Sequence, residues 1–246
     1  MNKKLISSFI AVLLMAAGPS RGAAASMAAV EGDLGGAMVR IPPGVAELVE
    51  FDKEGDGRRQ EPRKLRSFGF YALFPEMTAL GLVGQERAVV LRSDKSWLLV
   101  GVSAGSAYPK TGSKANTVLA TKLSEASPYW FSTYARQPGK DRAHLEAYSQ
   151  VEIPADVPEN SIMVRDVYLH RTAEEVDAYV ACWRAETAYC HMYLDMQPHM
   201  KARVDVRFSV GLLSKWAEIA QGVKKQLIWF QRNAQGEHQP VSRDAR

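Results

Sequence analysis

The sequence predicts an α+β fold, a mainly antiparallel sheet with a long C-terminal amphipathic helix packed on it. Two C-terminal segments carry this prediction. Residues 202–208 alternate apolar and charged side chains, which is the period of a strand with one buried face. Apolar residues then recur at spacings of three and four, the period of a helix lying on a sheet; they are Leu212, Trp216, Ile219, Val223, Leu227 and Phe230.

The first 25 residues have the composition of an export signal. Two lysines near the start precede a mostly apolar run, and small residues follow it up to Ala25. This order predicts a signal peptide at 1–25, cleaved after Ala25. We therefore expect a single α+β domain at 26–246, with mobile ends, that is soluble in the periplasm or secreted. The apolar run is shorter than the roughly 20 residues that span a bilayer, so we expect no membrane-embedded segment after cleavage.

The charge of the chain gives no support to a nucleic-acid partner. Three of the 31 basic residues, and none of the 27 acidic ones, lie in the predicted signal peptide. The mature chain is therefore almost neutral, and it lacks the strong positive field that attracts a polyanion.

Upstream of residue 200 the sequence predicts short strands separated by loops. Residues 26–36 are rich in alanine and glycine and are expected to form a mobile lead-in. Strands are expected where apolar residues concentrate, at 38–49 (interrupted by Pro42-Pro43-Gly44), 68–74, 88–91 and 97–102. Charged or Gly/Ser-rich loops are expected at 51–66 and 103–117. Residues 118–150 allow no single assignment, and a helix near 141–148 is one alternative.

Cys182 and Cys190 are the two cysteines of the chain, and an oxidising compartment would let them pair. Two structures compete for their segment. Thr172 and Glu175 could cap a helix, but a continuous helix would hold the two cysteine Cα atoms roughly 12 Å apart, beyond the reach of a disulfide. In a hairpin centred on Glu186 the cysteines lie opposite each other. We therefore favour the hairpin and predict a disulfide.

The sequence GVSAG at 101–105 matches the G-x-S-x-G pattern of a serine hydrolase, and it follows a predicted strand. In such an enzyme the serine lies on a sharp turn that begins a helix. Here Pro109 and Gly112 follow too soon for a helix to form. We expect a strand-end loop without a nucleophile at Ser103, and a serine hydrolase using Ser103 stays as an alternative.

Residues 190–200 concentrate cysteine, histidine and methionine, which are side chains that suit Cu(I). In the predicted hairpin His191 and Met192 point to opposite faces, so only a subset of these ligands could converge on one ion. Methionines in a strand more often fill a core. We expect no metal site and no cofactor, and a periplasmic Met/His copper-binding protein stays as an alternative.

The C-terminal third combines three elements: a short hairpin bracketed by Cys182 and Cys190, an alternating charged strand at 201–208, and the pattern Leu-Leu-x-x-Trp-x-x-Ile from Leu212. This combination resembles periplasmic immunity-type proteins encoded in type VI secretion effector loci. The resemblance implies a protein that binds and blocks an effector or toxin in the periplasm. It implies no catalytic residue.

A binding or inhibitor protein with a protein partner is therefore the favoured function, ahead of an enzyme. The resemblance and the absence of a convincing catalytic or metal-binding pattern both favour it. If the chain is an inhibitor, we expect its partner surface in the loops at 51–66 and 103–117. The sequence does not predict which effector is bound, nor the oligomeric state.

Overall fold

The structure is a computed structural model that describes residues 28–53, 62–80, 95–108, 134–150, 165–172, 176–184 and 189–236. The predicted signal peptide at 1–25 and the strand predicted at 88–91 lie outside these residues.

Twelve strands and one α-helix form the described part of the chain. The strands are β1 (Val30–Leu34), β2 (Ala37–Ile41), β3 (Glu47–Phe51), β4 (Leu65–Leu73), β5 (Thr78–Leu80), β6 (Trp97–Ser103), β7 (Tyr134–Arg136), β8 (Glu146–Gln150), β9 (Arg165–Arg171), β10 (Val176–Trp183), β11 (Tyr189–Asp195) and β12 (Arg203–Ser209). The helix α1 spans Trp216–Ala234. Short 3₁₀ helices lie at Gly105–Ala107, Pro138–Lys140 and Val210–Lys215.

Ten strands form one antiparallel sheet in the order β3-β4-β6-β12-β11-β10-β9-β8-β7, with β5 paired to β4. Strands β1 and β2 form a separate hairpin. A parallel bridge between Asp33 and Lys64 joins this hairpin to the residue before β4. The predicted fold class, a mainly antiparallel sheet with a C-terminal helix packed on it, is confirmed.

The main core lies between α1 and one face of the sheet. The helix buries one apolar stripe against the strands and β2, and Ile219, Val223, Leu227 and Phe230 are fully buried. The Phe230 ring meets the Phe70 ring edge-on at 5.7 Å. Hydrogen bonds fix both ends of α1: Trp216 Nε1 donates to the Ala143 carbonyl at 2.9 Å, and Asn233 Nδ2 donates to the Arg40 carbonyl at 3.0 Å.

The C-terminal strand and the helix stripe from Trp216 onward are confirmed. Strand β12 alternates buried residues with half-buried or exposed ones. Leu212, the first residue of the predicted stripe, lies partly buried in the 3₁₀ helix before α1, where Leu213 is the buried residue. Cys182 and Cys190 are register partners on β10 and β11, and they form a disulfide with an S–S distance of 2.03 Å and a Cα–Cα distance of 4.0 Å. The alternative helix from Thr172 is therefore wrong.

Two local expectations are also wrong. Val30–Leu34, within the predicted lead-in, is a strand, because β2 pairs with it and its alternate side chains are buried. Glu146–Gln150, which overlaps the alternative helix at 141–148, is a strand, because it is hydrogen-bonded on both sides by β7 and β9. In both cases strand pairing, with the hairpin partner β2 for β1 and with β7 and β9 for β8, overrides the weak local preference.

Candidate functional site

The face of the sheet opposite α1 is only partly covered. Along β11 and β12 every second residue is buried under the helix, while the residues between them lie half-buried or exposed on the other side. We call the open face the set of side chains that β6, β11 and β12 place there, together with Trp183 at the end of β10. At the far end of the same face, β7 to β10 bury a second, smaller apolar cluster that includes Val167 and Leu169.

Aromatic rings form a continuous row on the open face. Trp183 stacks on Tyr189 with ring centroids 4.7 Å apart, and the His191 ring is 4.9 Å from Trp183. His191 is in turn 6.2 Å from Tyr193, where the row ends against the buried Tyr179 of the second cluster, with ring centroids 5.6 Å apart. Burial raises the pKa of Tyr193 to about 12, so its hydroxyl is protonated at neutral pH. The row is a rigid, amphipathic surface.

A histidine lies between two charged groups beside this row. Arg207 Nε donates a hydrogen bond to His191 Nε2 at 2.9 Å, so Nε2 is the acceptor in this contact. Nδ1 is 3.0 Å from Oδ1 of Asp205, a close contact that is not aligned for a hydrogen bond. The guanidinium of Arg207 also lies over the Tyr189 ring at 4.8 Å. These contacts fix the Arg207 side chain on the surface.

A groove of about 470 Å³ crosses the open face between β3 and β12. Gly69 and Gly101 are register partners on β4 and β6, so no side chain rises from the centre of its floor. A Cβ atom on Gly101 would meet its nearest neighbour, the Asp205 carbonyl oxygen, at 3.8 Å, and one on Gly69 would meet the Val100 carbonyl oxygen at 3.5 Å. The space above both residues is therefore free. Glycine within a strand often marks a site where a ligand or another backbone approaches closely.

The β3 side of the groove ends in an irregular, apolar rim. The pairing of β3 with β4 shifts register between Glu47 and Glu50. Leu48 lies in this irregularity with φ +50°, a conformation that costs a leucine energy, and 67% of the residue is exposed. Glu50 accepts a hydrogen bond from the Ser67 hydroxyl at 2.9 Å and lies 3.6 Å from Arg66.

Ser103 lies in this groove, but it does not lie on the sharp turn between a strand and a helix that holds the nucleophile of a serine hydrolase. It is the last residue of β6, and the 3₁₀ turn Gly105–Ala107 follows instead of an α-helix. The positive φ of Gly105 and the hydrogen bond from the Ser106 amide to Asp52 at 3.1 Å explain the second glycine of the motif as a turn residue. Ser103 pairs with Arg203, four residues from the partner of His191, so about 13 Å along the strands separates the serine from the histidine.

The copper ligands suggested by the sequence do not converge. Met192, Met196 and Met200 are buried in the main core, whereas His191 lies on the opposite face. The sulfur of Cys190 is bonded to Cys182, so it offers no thiolate to a metal ion. Within the described ranges there is also no group of three or more His, Cys, Asp or Glu residues placed to hold an ion.

The predicted partner loops can be followed only in part, because 54–61 and 109–117 lie outside the described residues. Sequence reasoning did not identify the open face as a candidate site. The sequence does contain a pattern that indicates this face: Tyr189, His191 and Tyr193 alternate with other residues, which places three rings on one side of a strand.

Comparison with known proteins gives one informative match. No family model matches the chain, and no curated protein matches it. Among solved structures, the fold is similar to Smlt3025, an immunity protein of the Stenotrophomonas maltophilia type IV secretion system. The TM-score is 0.52 at 15% sequence identity, and the match covers 83% of this chain and 93% of that one. Across the described part of this chain, no helix is long and apolar enough to cross a membrane.

Proposed function

We propose that this chain is an exported immunity-type protein that binds an antibacterial effector protein and blocks it in the periplasm. The observation that carries the proposal is the similarity of its fold to an immunity protein over 83% of the chain. The match covers 83% of this chain and 93% of the other, so the similarity concerns the overall fold and not a single motif.

The chemistry of the open face supports a protein partner. Tryptophan, tyrosine and arginine are the residues that most often dominate the binding energy of protein interfaces. Here Tyr189 contacts both Trp183 and Arg207 on one surface, and these contacts reduce the side-chain entropy that binding would otherwise cost.

The disulfide supports a location outside the cytoplasm. Structural disulfides persist in oxidising compartments and are rare in the cytosol, and the Cys182–Cys190 bond is compatible with the export pattern at 1–25. The sequence resembles immunity-type proteins of type VI loci, whereas the structural neighbour belongs to a type IV system. The proposal therefore names an effector protein and leaves its delivery system open.

A protection assay tests this function. The product of each gene adjacent to this one is directed in turn to the periplasm of a sensitive host, with and without the full-length chain, and a product that kills the host is the effector to be tested. We expect survival only when the chain is present, and no survival with a variant lacking 1–25, which would stay in the cytoplasm. Equal killing with and without the full-length chain, when both proteins are present in the periplasm, would contradict the proposal.

A further inference from the structure

We propose that the groove between β3 and β12 is the docking slot for a protruding acidic segment of the protein partner, whose carboxylates bind Arg203 and Arg207. The inference rests on the proposed function and adds the position of the interface and the chemistry of what fills it.

The shape of the groove suits an approaching protein segment. Its floor at Gly69 and Gly101 is bare backbone with free space above it, so a partner's main chain can come closer there than anywhere a side chain projects. Its volume of about 470 Å³ is in the range of clefts that enclose a ligand of a few side chains.

The basic and acidic residues of the groove differ in how many of their charges have a partner of opposite sign. Among the described residues, neither Arg203 nor Arg207 has a carboxylate within ion-pair distance. Asp195, the register partner of Arg203, instead accepts hydrogen bonds from the Tyr108 hydroxyl at 2.7 Å and from the Gln197 amide at 2.9 Å. Of the two acids that line the groove, Glu50 lies 3.6 Å from Arg66 and accepts a hydrogen bond from Ser67, whereas Asp205 contacts His191 at 3.0 Å without a hydrogen bond. Two arginines thus face one carboxylate that is not compensated. The unmatched charge in the groove is therefore positive.

The side chain of Arg207 is preorganised to bind such a carboxylate. Its Nε is used by His191 and its guanidinium plane lies over the ring of Tyr189, while its terminal nitrogens have no hydrogen-bond partner in the described part of the chain. A guanidinium fixed in this way can donate paired hydrogen bonds to a carboxylate. Binding then costs little side-chain entropy, because the side chain is already ordered.

The groove disfavours a polyphosphate or nucleic acid. Asp205 lies between Arg203 and Arg207 on β12, so a chain of closely spaced negative charges would meet repulsion between the two arginines. Leu99 adds apolar surface beside Arg207, its register partner, and Leu48 does so on the opposite rim. The fitting occupant is thus a segment with separated acidic side chains and apolar residues, which is a protein segment.

Isothermal titration of the mature protein with the purified toxic gene product identified in the protection assay tests this placement. We expect Arg203→Glu and Arg207→Glu each to weaken binding by about tenfold or more, since each converts an attraction into a repulsion. Gly101→Trp should abolish binding by filling the groove. Lys225→Glu, the same charge change on the exposed side of α1, is the matched control and should leave Kd within about twofold.

Folding is checked by thermal unfolding and by disulfide content. Gly101→Ala provides a milder variant should tryptophan disturb the sheet, because its Cβ would make only ordinary contacts; it should fold normally and weaken binding measurably. If the wild type binds and protects while the folded groove variants bind like Lys225→Glu, the docking slot is wrong and the immunity function stands. If the wild type neither binds nor protects, both proposals fail.

Discussion

Removing the Cys182–Cys190 disulfide should weaken the fold without abolishing it. The bond closes a loop across a sequence separation of eight residues. The loop-closure relation then gives a stabilisation of about 2.5 kcal/mol, because few unfolded conformations are excluded by so short a loop. For a domain of this size each kcal/mol shifts the melting temperature by about 2–4 °C, so we expect a decrease of about 5–10 °C.

The assay compares thermal unfolding of the oxidised wild type, the reduced wild type and the double variant Cys182→Ala/Cys190→Ala. The reduced wild type is the better measure of the bond, because it keeps both buried sulfur atoms. The same loss should weaken effector binding, since the stacked rings of Trp183 and Tyr189 directly flank the cysteines. Two free thiols in the oxidised, denatured protein, or an unchanged melting temperature on reduction, would refute this reasoning.

Three further predictions concern the helix, a surface turn and the serine motif. Phe230→Ala should lower the free energy of unfolding by about 3–5 kcal/mol in chemical denaturation, since the ring is fully buried; a loss below about 1 kcal/mol would contradict the packing. The hydrogen bond from Arg136 lowers the pKa of Asp141, so the ion pair stabilises the fold above the ordinary carboxyl pKa and is lost as pH falls through the lowered one. In an NMR titration the substitution Arg136→Gln should raise the pKa of Asp141. An unchanged pKa would show that Arg136 and Asp141 do not form an ion pair. A fluorophosphonate probe should leave Ser103 unlabelled, whereas stoichiometric labelling lost in Ser103→Ala would restore the hydrolase alternative.

The C-terminal elements could be predicted because each shows its own period. The alternation at 202–208 and the three-and-four spacing from Leu212 result from burial of one face, and burial is visible in a single segment. The hairpin was predictable for a different reason, since a covalent bond restricts which structures are allowed. Strands β1 and β8 are short, and their stability comes from pairing, of β1 with β2 and of β8 with β7 and β9, which the composition of each segment alone does not show.

The candidate site was not predictable to the same degree. Arg203, Asp205 and Arg207 were assigned to a solvated face, which is correct for one strand considered alone. Only the register of β11 against β12 places His191 opposite Arg207, and only the pairing of β4 with β6 brings Gly69 beside Gly101. Such cross-strand neighbours depend on topology, which the pattern of a single segment does not specify.

Oxidative footprinting of the complex with the effector tests the account most directly, because hydroxyl radicals modify exposed tryptophan and tyrosine side chains. The account predicts that binding lowers the modification rate of Trp183 and Tyr189 on the open face several-fold. Trp229 on α1, on the other side of the sheet, should be modified at the same rate in the free and bound protein. Protection of Trp229 with unchanged rates at Trp183 and Tyr189 would place the partner on the helix side and contradict the account.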